Sequence, residues 1–225
     1  RINLNFLSMG IDSSLVHCRR CSRLASFLDA VKAQYPTYHA RPVAAFGDIN
    51  PKLLIVGLAP GMHGANRTGR PFTGDYAGIL LYQTLFKFGL ANQNESISST
   101  DALCLLHTRI TNAVKCLPPE NKPKPCEIKQ CNDYLSNEII HFIEQGGKGI
   151  LALGNVAHQA VLMAFNLKLK HYPFSHGAIY ILPNELKLYD SYHCSRYNTQ
   201  TKRLTQEMFE QVFSEICADL AIPNH

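Results

Sequence analysis

Residues 53–57, LLIVG, form an uninterrupted apolar run that ends in glycine, and the pattern returns as GILALG at 149–154. Each reads as a buried strand entering a loop. Between them a loop rich in Gly, Asn, Thr and Pro runs from Leu58 to Gly74. Residues 76–90 then carry apolar groups at helical spacing, among them Ile79, Leu80, Tyr82, Leu85 and Phe86. Residues 103–114 read as a further strand entering a polar loop. The four prolines of LPPENKPKPC (117–126) interrupt both helix and ladder hydrogen bonding. A helix over 127–145 precedes GILALG, and Asn155 is expected to cap the helix after it. Residues 178–182 and 186–192 read as strands joined by a hairpin at Pro183-Asn184, and 203–221 as a closing amphipathic helix. This alternation argues for an α/β chain with a mainly parallel sheet and helices on both faces. With neither internal repeats nor a low-complexity linker, residues 1–225 read as one domain. Ligands of such sheets bind beyond the carboxyl ends of the strands, so the loops after 57, 111 and 192 are expected to meet at one site.

Composition narrows the class. Hydrophobic residues make up 46% and charged residues 17%, which supports a sizeable core and excludes wholesale disorder. No apolar run is long enough to cross a bilayer, and the opening RINLNFLSMG lacks the features of a secretory signal. A cytoplasmic protein without a membrane partner is therefore expected. A net charge of +5 leans toward a polyanionic partner, a bias that many proteins foreign to nucleic acid share.

The cysteines carry more. Cys18 and Cys21 form a C-x-x-C pair within HCRRC, and Cys116 and Cys131 flank the proline-rich loop in KCLPPENKPKPCEIKQC. Two such pairs brought together by the fold can bind zinc or an iron-sulfur cluster, since both take four thiolates. Buried cysteines also serve as small apolar residues. Spacing alone does not choose between the metals. Cys126, inside the loop, competes with Cys131 for the fourth place, and Cys104, Cys194 and Cys217 read as ordinary thiols.

Three separated segments then carry a resemblance: GLAPGMHGANRTGRPFTGD (57–75), TNAVKCLPPENKPKPCEIKQC (111–131) and HCSRYNTQT (193–201). Together, and in this order, they resemble the iron-sulfur uracil-DNA glycosylases, closest to the fifth family, over most of the chain from Cys18 to about Thr205. The resemblance implies a three-layer α/β/α fold with a central, mainly parallel, four-stranded sheet. It implies a 4Fe-4S cluster in a structural role on Cys18, Cys21, Cys116 and Cys131. It also implies a monomer that acts on DNA containing uracil or other deaminated bases such as hypoxanthine and xanthine, in the cytoplasm of a bacterium and at the nucleoid.

Each motif carries an expected task. A glycosylase must take the base out of the stack before it can reach the glycosidic bond. Phe72 matches the family's stacking aromatic, although phenylalanine is ordinarily core. Asn112 matches the residue that reads the pyrimidine edge, for which an amide offers donor and acceptor side by side; Asn after a strand also serves as a turn residue. Gly57, Ala59 and Gly61 are expected to line the pocket. Breaking the C–N bond leaves an anionic base, and His193 matches the donor that stabilises it. Most relatives place Asp or Asn just after the first motif's proline; Leu58-Ala59-Pro60-Gly61 has none, as in the fifth family. Asp75 is then the candidate for positioning water, with helix capping as its plainer job and His63 as the weaker substitute. Ser195, Arg196, Tyr197, Asn198 and Lys202 are the expected DNA contacts, in a loop that equally suits a solvated surface. Cys194 stands where the family usually has proline.

No lysine is placed as a Schiff-base nucleophile, so a monofunctional enzyme without strand cleavage is expected. The alternative is an iron-sulfur nucleic-acid-binding protein without catalysis. A phosphate cradle at 57–61 is weaker, because GLAPG lacks the lysine and hydroxyl of a P-loop.

Overall fold

The computed structural model describes residues 14–222. A six-stranded sheet runs β1 (Phe46–Gly47), β3 (Thr108–Asn112), β2 (Leu53–Gly57), β4 (Gly149–Leu153), β6 (Lys187–Ser191) and β5 (Ile179–Ile181) from edge to edge. The inner four are parallel, in the number the resemblance implies. β1 and β5 add two short antiparallel edges, which corrects the count of four. β5 and β6 are the anticipated hairpin, turning at Pro183–Glu185.

Helices α3 (Tyr76–Lys87) and α7 (Gln206–Asp219) cover one face, and α4 (Pro125–Glu144) and α5 (Asn155–Ala164) the other. Alternation along β2 assigns the layers. Leu53 and Ile55 pack with Leu81, Leu85, Phe209 and Phe213, whereas Leu54 and Val56 pack with Leu135, Ile139, Phe142 and Val161. Both faces of β2 are therefore buried, as a strand covered by helices on either side must be. A further helix, α1 (Ser22–Gln34), packs Leu28 and Val31 against Ala40 and Leu117. Two small helices, α2 (Ala65–Thr68) and α6 (Arg196–Gln200), lie in the loops after β2 and β6.

Several boundaries move for local reasons. α4 begins at Pro125, because a proline at the first helical position loses no hydrogen bond. Gly154, at φ +92°, replaces Asn155 as the cap of α5; its N–H bonds to Ser191 O at 2.8 Å, which ties the helix start to the end of β6. Among the described residues no helix is long and apolar enough to cross a membrane.

β2 and β4 are neighbours, and the chain leaves β2 toward β3 on one side but leaves β4 toward β5 and β6 on the other. The carboxyl ends of these strands meet over that switch point, where such folds hold their ligands.

Candidate active site

Gly57 and Asn112 end their strands side by side. A methyl group on Gly57 would lie 2.5 Å from Asn112 Oδ1 and 2.5 Å from the Phe72 ring, so the three surround one space. Asn112 is 3% exposed and its Oδ1 has no hydrogen-bond partner. A buried acceptor left in this state costs free energy unless something else supplies a donor.

Phe72 forms a wall of that space with its backbone at φ +53°, a conformation strained for a bulky residue. Its neighbours hold it there. Tyr82 Oη donates to Pro71 O at 2.8 Å, Thr73 Oγ1 donates to the same carbonyl at 3.1 Å, and Gly78 lies directly beneath the Phe72 carbonyl.

His193 faces Phe72 with ring centroids 5.9 Å apart and planes 28° from parallel. Its backbone is fixed by Asn198 Nδ2, which donates to His193 O at 2.9 Å, and its Cβ would touch a side chain on Gly154. Burial lowers its pKa from 6.5 to about 4, so the imidazole is neutral at physiological pH. The unfolded chain then binds more protons than the folded one between about pH 6.5 and 4. This contribution is complete above pH 6.5 and is lost as the pH falls through that window. Wild-type protein is thus expected to lose melting temperature relative to His193→Gln as the pH drops from 7 to 4.5. A difference between their melting temperatures that stays constant with pH would refute the assignment.

Asp75 caps α3, with Oδ1 accepting from Gly78 N at 2.9 Å. The capping job is therefore real, and it leaves Oδ2 over the 58–64 loop, against Gly64 and 3.5 Å from where a Gly61 side chain would begin. Burial raises the Asp75 pKa, opposed by the Gly78 N–H. The carboxylate also raises the pKa of the buried Cys194 thiol, after burial itself. Ala59 lies half-buried in the same loop, which is anchored where Val114 N donates to Leu58 O at 3.0 Å. His63 is turned to a Tyr35–Tyr38 stack and hydrogen-bonds Tyr38 Oη at 2.8 Å.

The expected DNA contacts divide. Ser195 caps α6 and Asn198 reaches back to His193, so both serve the loop's own shape. Arg196, Tyr197 and Lys202 are exposed. Arg196 lies over the ring of Tyr76, 5.7 Å from its centroid, and Arg203 covers Tyr192 at 4.7 Å. Tyr76 and Ile79, both exposed on α3, extend this rim. Sequence reasoning passed over both as helix residues; their signal was apolar surface beside the Asp75 cap.

Behind the site, Cys18, Cys21, Cys116 and Cys131 line one cavity with Leu15, Leu24, Pro42 and Val114. Burial, then Cys131, raises the Cys21 thiol to about 11; burial and the other three cysteines raise Cys116. Both thiols are kept neutral by burial and because a thiolate there would face the other cysteines at close range. Cys126 is exposed on the first turn of α4 and stays outside the cavity lining. Among the described residues, no three His, Cys, Asp or Glu side chains converge as a site for a single ion requires.

Known proteins are similar to this chain over most of its length. Residues 44–217 match the family model described as the uracil DNA glycosylase superfamily. The chain is 44% identical over 207 residues to a type-5 uracil-DNA glycosylase of Thermus thermophilus, covering 90% of this chain and 93% of that protein. It is 39% identical over 209 residues to a type-5 uracil-DNA glycosylase of Pyrobaculum aerophilum, covering 91% and 90%. A type-4 uracil-DNA glycosylase of Archaeoglobus fulgidus is 27% identical over 209 residues, covering 90% and 89%.

Proposed function

The chain belongs to the uracil-DNA glycosylase superfamily, and from that membership we propose that it hydrolyses the N-glycosidic bond of uracil in DNA as a monofunctional glycosylase. One observation carries the reading to the residues. A stacking aromatic, a buried amide with an unpartnered oxygen, a neutral histidine and a half-buried carboxylate converge at the carboxyl ends of the parallel strands.

The extruded base lies on Phe72 and gives its N3–H to Asn112 Oδ1, which supplies the donor that the buried oxygen lacks. His193 donates to O2 of the departing pyrimidine, where negative charge grows as the C–N bond breaks. A neutral imidazole with one N–H suits this task because it is already uncharged in the free protein. Asp75 Oδ2 orients water toward the sugar and opposes the positive charge of the oxocarbenium-like transition state. Gly57, Ala59 and Gly61 leave room for the base and the water. Arg196, Tyr197 and Lys202 meet the duplex at the mouth, where charge, a planar ring and exposed backbone suit phosphate and the gap left by the base. Hypoxanthine and xanthine are accepted in the same pocket, and one chain supplies every group, in keeping with a monomer.

Cys18, Cys21, Cys116 and Cys131 are the residues to hold a 4Fe-4S cluster, and the donor set fits one. All four cysteines line one cavity, and four thiolates are the donor set that such a cluster takes. When bound, the cluster supplies cross-links between the start of α1 and the 116–131 segment.

The test is base release from a duplex carrying one uracil, read as alkali-labile cleavage, with protein whose iron content and visible absorption are recorded. Wild-type protein is expected to be brown and to release uracil, and His193→Ala to be slower by about 10²–10³-fold. Iron-loaded protein that frees neither uracil, hypoxanthine nor xanthine would overturn the enzyme and leave a DNA-binding protein.

A further inference from the structure

Lys115 is 0% exposed, a rare condition for lysine that requires partners for every proton. It has three. Nζ donates to Thr111 Oγ1 at 2.6 Å, to Asn112 O at 2.8 Å and to Glu138 Oε2 at 2.6 Å. An ammonium only donates, so the Thr111 hydroxyl passes its own proton on to Glu138 Oε2 at 2.8 Å. The result is a closed knot between α4 and the last two residues of β3.

Its position is informative. Successive strand residues point to opposite faces. Thr111 stands beside Val56, on the α4 side, and Asn112 beside Gly57, on the side of Phe72. The knot therefore grips the Asn112 peptide from behind the sheet while the side chain works in front. The lysine backbone has no slack either: its N–H donates to Cys131 Sγ at 3.4 Å and its carbonyl accepts from Val43 N at 2.8 Å.

Stability alone does not account for this arrangement. Burying an ion pair costs desolvation that apolar side chains of the same volume avoid, and such replacements are often neutral or stabilising. The beneficiary is the geometry of Asn112. An amide can read a pyrimidine edge only in one orientation, because turning it over exchanges donor and acceptor. We propose that Lys115, held by Glu138 and Thr111, is a positioning residue that fixes Asn112 for reading the base. This rests on the glycosylase reading above and goes beyond it by naming how its specificity group is held.

The test is a double-mutant cycle on single-turnover uracil release with Lys115→Met, Asn112→Ala and both together. Lys115→Met is expected to slow release by about 10²-fold, the usual cost of a misplacement on the order of 1 Å, and to add under threefold in the Asn112→Ala background. Glu138→Gln keeps an acceptor oxygen and serves as the second variant should Lys115→Met not fold. It is expected to show a smaller loss that also disappears without Asn112. An equal cost in both backgrounds, or no cost in either, overturns the positioning role and leaves the glycosylase reading untouched. Wild-type protein that releases no base overturns both.

Discussion

Asp75→Asn is expected to release uracil about 10²–10⁴-fold more slowly than wild type while melting at nearly the same temperature. The two effects separate because the two oxygens do different things. Oδ1 accepts from Gly78 N at 2.9 Å and caps α3, a task that asparagine performs as well as aspartate. Oδ2 lies over Gly64 and beside Gly61, where the proposed mechanism puts the attacking water. The amide keeps the cap but gives up both the charge that opposes the developing cation and the basicity that orients water. Burial has raised the Asp75 pKa above its ordinary 3.8, so the acid limb of kcat/KM follows this carboxylate and is absent in the variant. Asp75→Ala removes cap and charge together and is expected to cost about 1 kcal/mol of stability in addition. Single-turnover release and thermal melts measured in parallel decide the matter. An Asp75→Asn protein that keeps the wild-type rate would assign the water to another group.

What was legible in the sequence follows from how local the signal is. LLIVG and GILALG announce themselves because strands buried on both faces are apolar at every position. β1, with two residues, is too short for any pattern and exists because the edge of β3 offers a backbone partner, whereas β5 was legible as the first arm of the hairpin. Cys126 and Cys131 were rivals for the fourth place in the sequence, and helix geometry sets them apart. Five residues apart on α4, they point about 140° from each other at about 100° per residue, and Cys131 is the one turned inward. Phe72, Asn112 and His193 were named from their motifs, yet the unusual φ of Phe72 depends on Tyr82 and Gly78 from the next helix. Lys115 and Glu138 lay further out of reach. One reads as an ordinary basic residue before a cysteine and the other as a solvated helix glutamate, and only the packing of α4 on β3 joins them.

Gly57→Ala is expected to cost about 1–3 kcal/mol of stability and at least about 10²-fold in base release, from the addition of one methyl group. The backbone of Gly57 is compatible with alanine, since its φ is not among the positive values of the chain. The collision is entirely with the pocket: the new carbon would lie 2.5 Å from Asn112 Oδ1 and 2.5–2.6 Å from the Phe72 ring. Gly57 cannot retreat, because β2 is held in register by β3 on one side and β4 on the other. Nor can Asn112 yield freely while Lys115 grips its carbonyl. Phe72 is the softer partner, and its movement would narrow the space over which the base must stack. The substitution should therefore damage uracil release far more than DNA binding, because Arg196, Tyr197 and Lys202 lie on the separate loop after β6. Release kinetics set beside affinity for a duplex containing an abasic site read the two effects independently. Unchanged release by a folded Gly57→Ala protein would show that the base does not enter the space that Gly57, Phe72 and Asn112 enclose.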